Sequence, residues 1–405
     1  MNPTARRKVL SATALLGLLA ALVPATPGSA AGADALPDVP AEAVAAATAA
    51  GTGPVLTEKC AAERQRTVEA AKTSAATGTA TCSDYKTAAT RTSGVGLNTP
   101  VPSNCPRDQW GYTRTTACLD TTVGVVVYIV RTGQIIGGFD LQVLTWTNLS
   151  PVSHFWQQEA KFTMLVAWGQ IAGTFIRGDA WCTGSCTGSP YFPDQWFYTL
   201  TATASASVSV TATLGPSDAF AKTSIAFWFV NPTWLYGSTN ALVASPSQAR
   251  CDTFYGNVAP GCVFPHVRPI YNVYSFEKPS FARHVALAIG YTRRNVLTRM
   301  TSEENARNNG NRACPGDLPK PTGYSCDEYP FRSTYEGAYT GGYTYGRTFE
   351  GCQIKAVEIR QVGDTGGYNI CMIPVSENSG GGGDLGAFYR SNRVLDGEQF
   401  EVVVN

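Results

Sequence analysis

Two adjacent carboxylates, Asp327 and Glu328, follow Cys326 and precede Pro330 in the stretch Cys326-Asp-Glu-Tyr-Pro-Phe-Arg332. A disulfide cysteine on one side and a proline on the other would fix the backbone that carries them. Neighbouring carboxylates on a fixed backbone suit hydrolysis: one orients or deprotonates water while the other binds a hard divalent cation. As a bare dipeptide, Asp-Glu is more often just a solvated pair. Upstream, between Lys278 and Arg312, seven Lys/Arg (278, 283, 293, 294, 299, 307 and 312) face only Glu303 and Glu304. Such a cluster suits phosphate tracking, with a solvated helix face as the bland alternative. The three histidines, His154, His266 and His284, are too few for a multi-His zinc site.

The elements that must position these groups divide the chain into four parts. Residues 1–30 have the order of an export signal: Arg6-Arg7-Lys8, an apolar run over 9–23, then Pro24 and Gly28-Ser29-Ala30. Cleavage is expected near Ala30 or Ala31, with twin-arginine export the less favoured route. No other run reaches the roughly 18 apolar residues of a membrane span, so the protein is expected to be secreted and extracellular. Residues 31–100, rich in Ala, Thr and Gly, read as a linker, a propeptide or a helical hairpin pinned by Cys60 and Cys82.

Residues 101–250 read as a β-rich domain. The segments 124–130, 139–146, 162–171, 197–214 and 224–230 are rich in Val, Thr, Ile and aromatics and are separated by turn residues. Long strands without intervening helices predict an antiparallel sandwich. Trp146, Trp156, Trp168, Trp181, Trp196, Trp228 and Trp234 fall mostly within strand patterns, which favours core packing over a glycan-stacking row. Arg177-Gly178-Asp179 reads as a turn rather than an adhesion tripeptide. Residues 251–405 change period, with a helix predicted over 280–300 that has one basic side despite Gly290.

All 12 cysteines lie after the export signal. An even number in an exported chain reads as disulfides, and their spacing predicts six local bridges: Cys60–Cys82, Cys105–Cys118, Cys182–Cys186, Cys251–Cys262, Cys314–Cys326 and Cys352–Cys371. With 405 residues, 40 Gly, 24 Pro and only 15% charged residues, the chain has about two domains and many turns. Its charge balance, 31 Lys+Arg against 30 Asp+Glu, excludes a nonspecific polycation.

The stretch Cys326-Asp-Glu-Tyr-Pro-Phe-Arg-Ser-Thr-Tyr-Glu-Gly337 resembles the signature of the NucA/NucB family of secreted bacterial deoxyribonucleases. The resemblance extends to Arg250-Cys-Asp252, Gly261-Cys-Val-Phe-Pro265, His284, Ser302-Glu-Glu-Asn305 and Pro319-Lys-Pro-Thr-Gly-Tyr324. Downstream it takes in Asn378 and the small residues after it, then Arg393-Val-Leu-Asp-Gly397 and the residues 400–404. It covers about residues 250–405. It implies a small α+β nuclease domain resembling ββα-metal nucleases, which behind the mostly antiparallel β-sandwich expected over 101–250 makes the chain α+β overall. The implied activity is endonucleolytic hydrolysis of DNA, with RNA a further candidate substrate, using Mg²⁺ or Mn²⁺.

By that resemblance Asp327 is the general base, Glu328 shares that role or binds the metal, Asn378 is a metal ligand and Glu336 a further acidic residue of the site. His284 contacts phosphate, polarises a site group or packs the helix. Arg332 binds phosphate or pairs with a carboxylate, and Arg293 and Arg294 are backbone-contact candidates. Two departures from the family pattern stand out. The stretch 339–372 reads as an inserted hairpin, built from 352–361 and 368–374, and Glu377 with Gly380–Gly383 makes a loose helix entry where Asp is expected. A monomer is expected, with a glycan or cell-surface contact through the β-domain. The rival readings are a glycan- or cell-wall-binding protein with an inactive nuclease-like module, and a toxin acting mainly on RNA.

Overall fold

A computed structural model describes residues 56–86, 105–215, 218–355 and 367–405. The export signal and the rest of 31–100 lie outside these residues. Helix α1, Glu58–Lys72, starts at Thr57, whose side chain accepts from the Cys60 amide. The strand Thr79–Lys86 then pairs antiparallel with Thr116–Ile129 at one edge of a seven-stranded sheet. This portion of 31–100 is therefore neither linker nor helical hairpin. Its strand buries Lys86 against Asp140, with Nζ 2.7 Å from Oδ2.

From that edge the sheet continues through Ile135–Ser150, Ser153–Gly169, Thr203–Ala212 and Cys186–Tyr191, all antiparallel. A six-stranded sheet is built on Ala219–Val230 and Phe175–Gly184. Val125, Leu141, Phe162 and Val208 of the first sheet share one core with Ile176, Ile225, Phe227 and Phe229 of the second. Two sheets burying one face each against the other form the expected sandwich. The alternation is clearest in Thr203–Ala212, where Ala and Val are buried and Ser and Thr face outward.

Several expectations need correction. Ala249–Asp252 and Gly261–Val263, joined by Cys251–Cys262, extend the six-stranded sheet, so the expected boundary after residue 250 cuts through it. Arg177-Gly178-Asp179 lies mid-strand rather than in a turn, and the Arg177 guanidinium pairs with Asp194. Of the seven tryptophans considered, only Trp156 and Trp234 are buried, and Trp196 is exposed. All six cysteine pairs stand at disulfide distance as predicted.

The C-terminal part has its own core, including Phe281, Val285, Tyr329, Ile373, Phe388 and Phe400. Helix α2, Pro279–Thr292, begins with proline in its first turn and ends at Arg293, which is left-handed at φ 55°. The predicted helix thus stops eight residues early. Val296–Thr298 instead pairs antiparallel with Gln399–Val404, which also runs parallel to Ile270–Val273. Helix α3, Glu303–Ala313, is capped by Ser302.

The strand Tyr368–Pro374 pairs over Asn369–Pro374 with Tyr324–Tyr329 and leads directly into helix α4, Val375–Ser391. It is therefore a central strand of the domain rather than half of an inserted hairpin. Of the expected partner segment, residues 352–355 are not a strand and the remainder lies outside the described residues.

A buried ionic cluster joins the two parts. Arg393, fully enclosed, donates from Nε to Asp252 Oδ2 at 3.0 Å, and from its terminal nitrogens to the carbonyls of Asp252, Pro151 and Ala259. In return Arg114 and Arg250 of the β-rich part clasp the Glu398 carboxylate. The carboxylates and guanidinia compensate one another, without which burial of such charges would be prohibitive.

Candidate active site

The strand Tyr324–Tyr329 is the edge of its three-stranded sheet. Successive side chains point to opposite faces of a strand, yet Asp327 and Glu328 both border a cleft of about 590 Å³, together with Asn378 and Gly382 of α4, Arg299, Arg332 and Tyr389.

Asp327 is buried, and its Oδ2 lies 2.6 Å from Nδ1 of His284, itself only 1% exposed on α2. Nδ1–H donates to the carboxylate, which fixes the imidazole ring and the carboxylate oxygens in place; His284 Nε2 is buried without a partner. His284 therefore reaches the site through Asp327 and does not line the cleft.

Glu328 keeps an edge on the cleft while protein encloses most of its carboxylate. Burial, reinforced by the neighbouring Asp327 charge, pushes its pKa up to about 7, against the opposing pull of Arg332.

Asn378 donates its Nδ2 to Ser325 Oγ at 2.9 Å and to the Cys326 carbonyl at 3.0 Å. These bonds pin helix α4 to the carboxylate strand and leave the amide oxygen free beside the cleft. Glu377, the residue that departs from the expected Asp, accepts from the Ser280 and Phe281 amides at 2.7 and 3.1 Å. It caps the start of α2, the helix that carries His284.

The glycines Gly380–Gly383 do not loosen the helix entry; they lie inside α4. At Gly381 a side chain would press into Phe281, whereas Gly382 has open space at the cleft. Glycine costs a helix interior about 1 kcal/mol relative to alanine, so a bare helix face is retained against its own propensity. Gly382→Leu is expected to leave the fold intact or slightly more stable by thermal unfolding, yet to lower DNA cleavage by filling the cleft. Unchanged cleavage would remove the helix face from the substrate path.

The other sequence candidates fall elsewhere. Glu336 accepts from the Thr298 amide and hydroxyl, both at 2.8 Å, and so ties down a strand rather than entering the cleft. Arg293 caps α2, and Arg294 lies over the Tyr343 ring; neither lines the cleft. Arg332 does. Sequence reasoning counted Arg299 only as one charge in a cluster, but its guanidinium sits 3.9 Å over the Tyr389 ring at the cleft wall. No local pattern signals that stacking, because Tyr389 is ninety residues away.

Two carboxylates, an amide oxygen and two arginines thus surround one solvent-open cleft. Residues 285–403 match the family model Deoxyribonuclease NucA/NucB. The resemblance read from the motif thus holds for the C-terminal domain, and it supports a nuclease function. No curated protein matches the chain.

Proposed function

We propose that the protein is a secreted, metal-dependent endonuclease that hydrolyses DNA phosphodiesters with little sequence specificity, built on a ββα-metal type of core. The observation that carries this reading is Asp327 and Glu328 bordering one cleft with Asn378, inside the family-matched region. The succession of strand Tyr324–Tyr329, strand Tyr368–Pro374 and helix α4 supports that core. Twelve cysteines in six pairs, and no described helix long and apolar enough to cross a membrane, fit an extracellular setting.

Among the described residues no group of three His, Cys, Asp or Glu forms a metal cluster. The oxygens of Glu328 and Asn378 nonetheless suit Mg²⁺ or Mn²⁺, which bind through few protein oxygens and keep several waters. A bound divalent ion would supply charge to offset that developing on the phosphate and leaving oxygen. Asp327, oriented by His284, accepts the proton of the attacking water. Arg332 and Arg299 hold the phosphate, and the glycine face of α4 lets the strand approach. Equal digestion of DNA and RNA by one preparation would broaden the substrate class. Cleavage of RNA alone would overturn the deoxyribonuclease reading.

A second activity is favoured for the β-rich part. Trp146 and the exposed Tyr191 flank a shallow cleft of about 530 Å³, floored by Gln157, Glu159, Ser205 and Ser207. Aromatic faces over a floor of hydroxyl and amide groups, with Glu159 and Lys161 beside them, suit a glycan chain. Retention on insoluble bacterial cell-wall polysaccharide, lost in Trp146→Ala, is the expected result; no retention of the wild-type protein would dismiss this reading.

A further inference from the structure

A second cleft, of about 340 Å³, opens beside the first and shares Arg299, Arg332 and Ser333 with it. The two are one continuous groove, whose far wall is the first turn of α3 with Ser302, Glu303 and Arg307. Three guanidinium groups thus meet one carboxylate around this extension. Arg332 acts on Glu328, and Arg299 on Asp396, only at longer range than a direct ion pair. Arg299 is held in place by the Tyr389 ring, and its Nε is buried without a hydrogen-bond partner. Arg307 and Arg332 are exposed at the rim. The partial positive charge at the start of α3 is largely offset by Glu303 and Glu304, so the arginines carry the argument.

We propose that this extension is a second phosphate subsite, which takes a flanking phosphate of the same strand whose neighbour lies at Asp327 and Glu328. The inference rests on the nuclease reading only for which phosphate is cleaved. Planar guanidinium forks bind phosphate oxygens in pairs, and no lysine is present that would act as a mere point charge. Arg307 holds the flanking phosphate at the rim. Arg299 and Arg332 bridge the two positions and so set the register of the strand across the carboxylates.

The test is binding of a fluorescent single-stranded oligonucleotide in EDTA, by anisotropy over a range of salt. Arg307→Gln is compared with Arg131→Gln, an exposed arginine of the β-rich part outside both clefts. Arg307→Gln should weaken binding about tenfold at low salt and flatten the log–log salt slope by about 0.7–1, the signature of one lost phosphate contact. Arg131→Gln should change neither. Equal losses in the two variants would mean general charge attraction, and no loss in Arg307→Gln, or no binding by the wild-type protein, would remove the subsite. Plasmid cleavage in Mg²⁺ is followed in parallel. Selective loss of binding in a protein that never cleaves would retain the subsite and overturn the nuclease reading instead.

Discussion

Asp327→Asn is expected to lower metal-dependent DNA cleavage by roughly 10²–10⁴-fold, the usual range for loss of a positioned proton acceptor. The substitution keeps the shape of the side chain and an oxygen for His284 Nδ1–H, so the fold should survive. Circular dichroism and thermal unfolding check that point separately from activity. His284 touches the reaction only through Asp327, with Nδ1 2.6 Å from the carboxylate. It is a positioning residue, and His284→Gln should lower kcat by a smaller factor than Asp327→Asn while leaving KM nearly unchanged. A cleavage rate in Asp327→Asn within a few-fold of wild type would transfer the base role to another group.

Arg393→Ala is expected to produce the largest loss of stability in the molecule. Its guanidinium is fully enclosed and binds the Asp252 carboxylate together with three backbone carbonyls. Removing one partner of a buried pair strands the other charge and costs about 3–5 kcal/mol. In a chain of this size that loss corresponds to a fall in melting temperature of about 4–6 degrees. Asp252 belongs to the β-sandwich and Arg393 to the turn before the last strand of the nuclease domain. The same loss should therefore appear in Asp252→Ala, and the double variant should lose less than the sum. Additive single effects, or a change below about 1 kcal/mol, would show that the cluster does not couple the two parts.

That coupling was only half visible in the sequence. Arg250, Asp252 and Arg393 stood inside motifs that looked alike across the family, but a motif does not say which charge meets which over more than a hundred residues. The sandwich strands were legible because apolar and polar residues alternate with period two, as in Thr203–Ala212. The disulfides were legible because each partner lies within 22 residues of the other. Tyr368–Pro374 was misread as an insertion because its own cysteine, Cys371, pointed back to Cys352, while its strand partner is Tyr324–Tyr329.

The site shows the same division. The carboxylate pair and Asn378 could be named from the motif, since they lie in or beside contiguous signature residues. Glu336 could be named but not placed, because its hydrogen bonds to Thr298 depend on how a neighbouring strand docks. The His284–Asp327 contact and the stacking of Arg299 on Tyr389 are tertiary, and neither spacing nor composition carries them. By sequence the glycines Gly380–Gly383 read as a loose helix entry. Their meaning emerged only once the helix was seen to turn a bare face to the cleft.

The most direct test of the account is nicking of supercoiled plasmid by the purified, oxidised protein and by Asp327→Asn, each in Mg²⁺, in Mn²⁺ and in EDTA. Relaxed and linear DNA formed by the wild-type protein with either ion, abolished by EDTA and nearly absent in the variant, is the predicted result. Cleavage that persists in EDTA, or no cleavage by a correctly folded wild-type protein with any divalent ion, would contradict it.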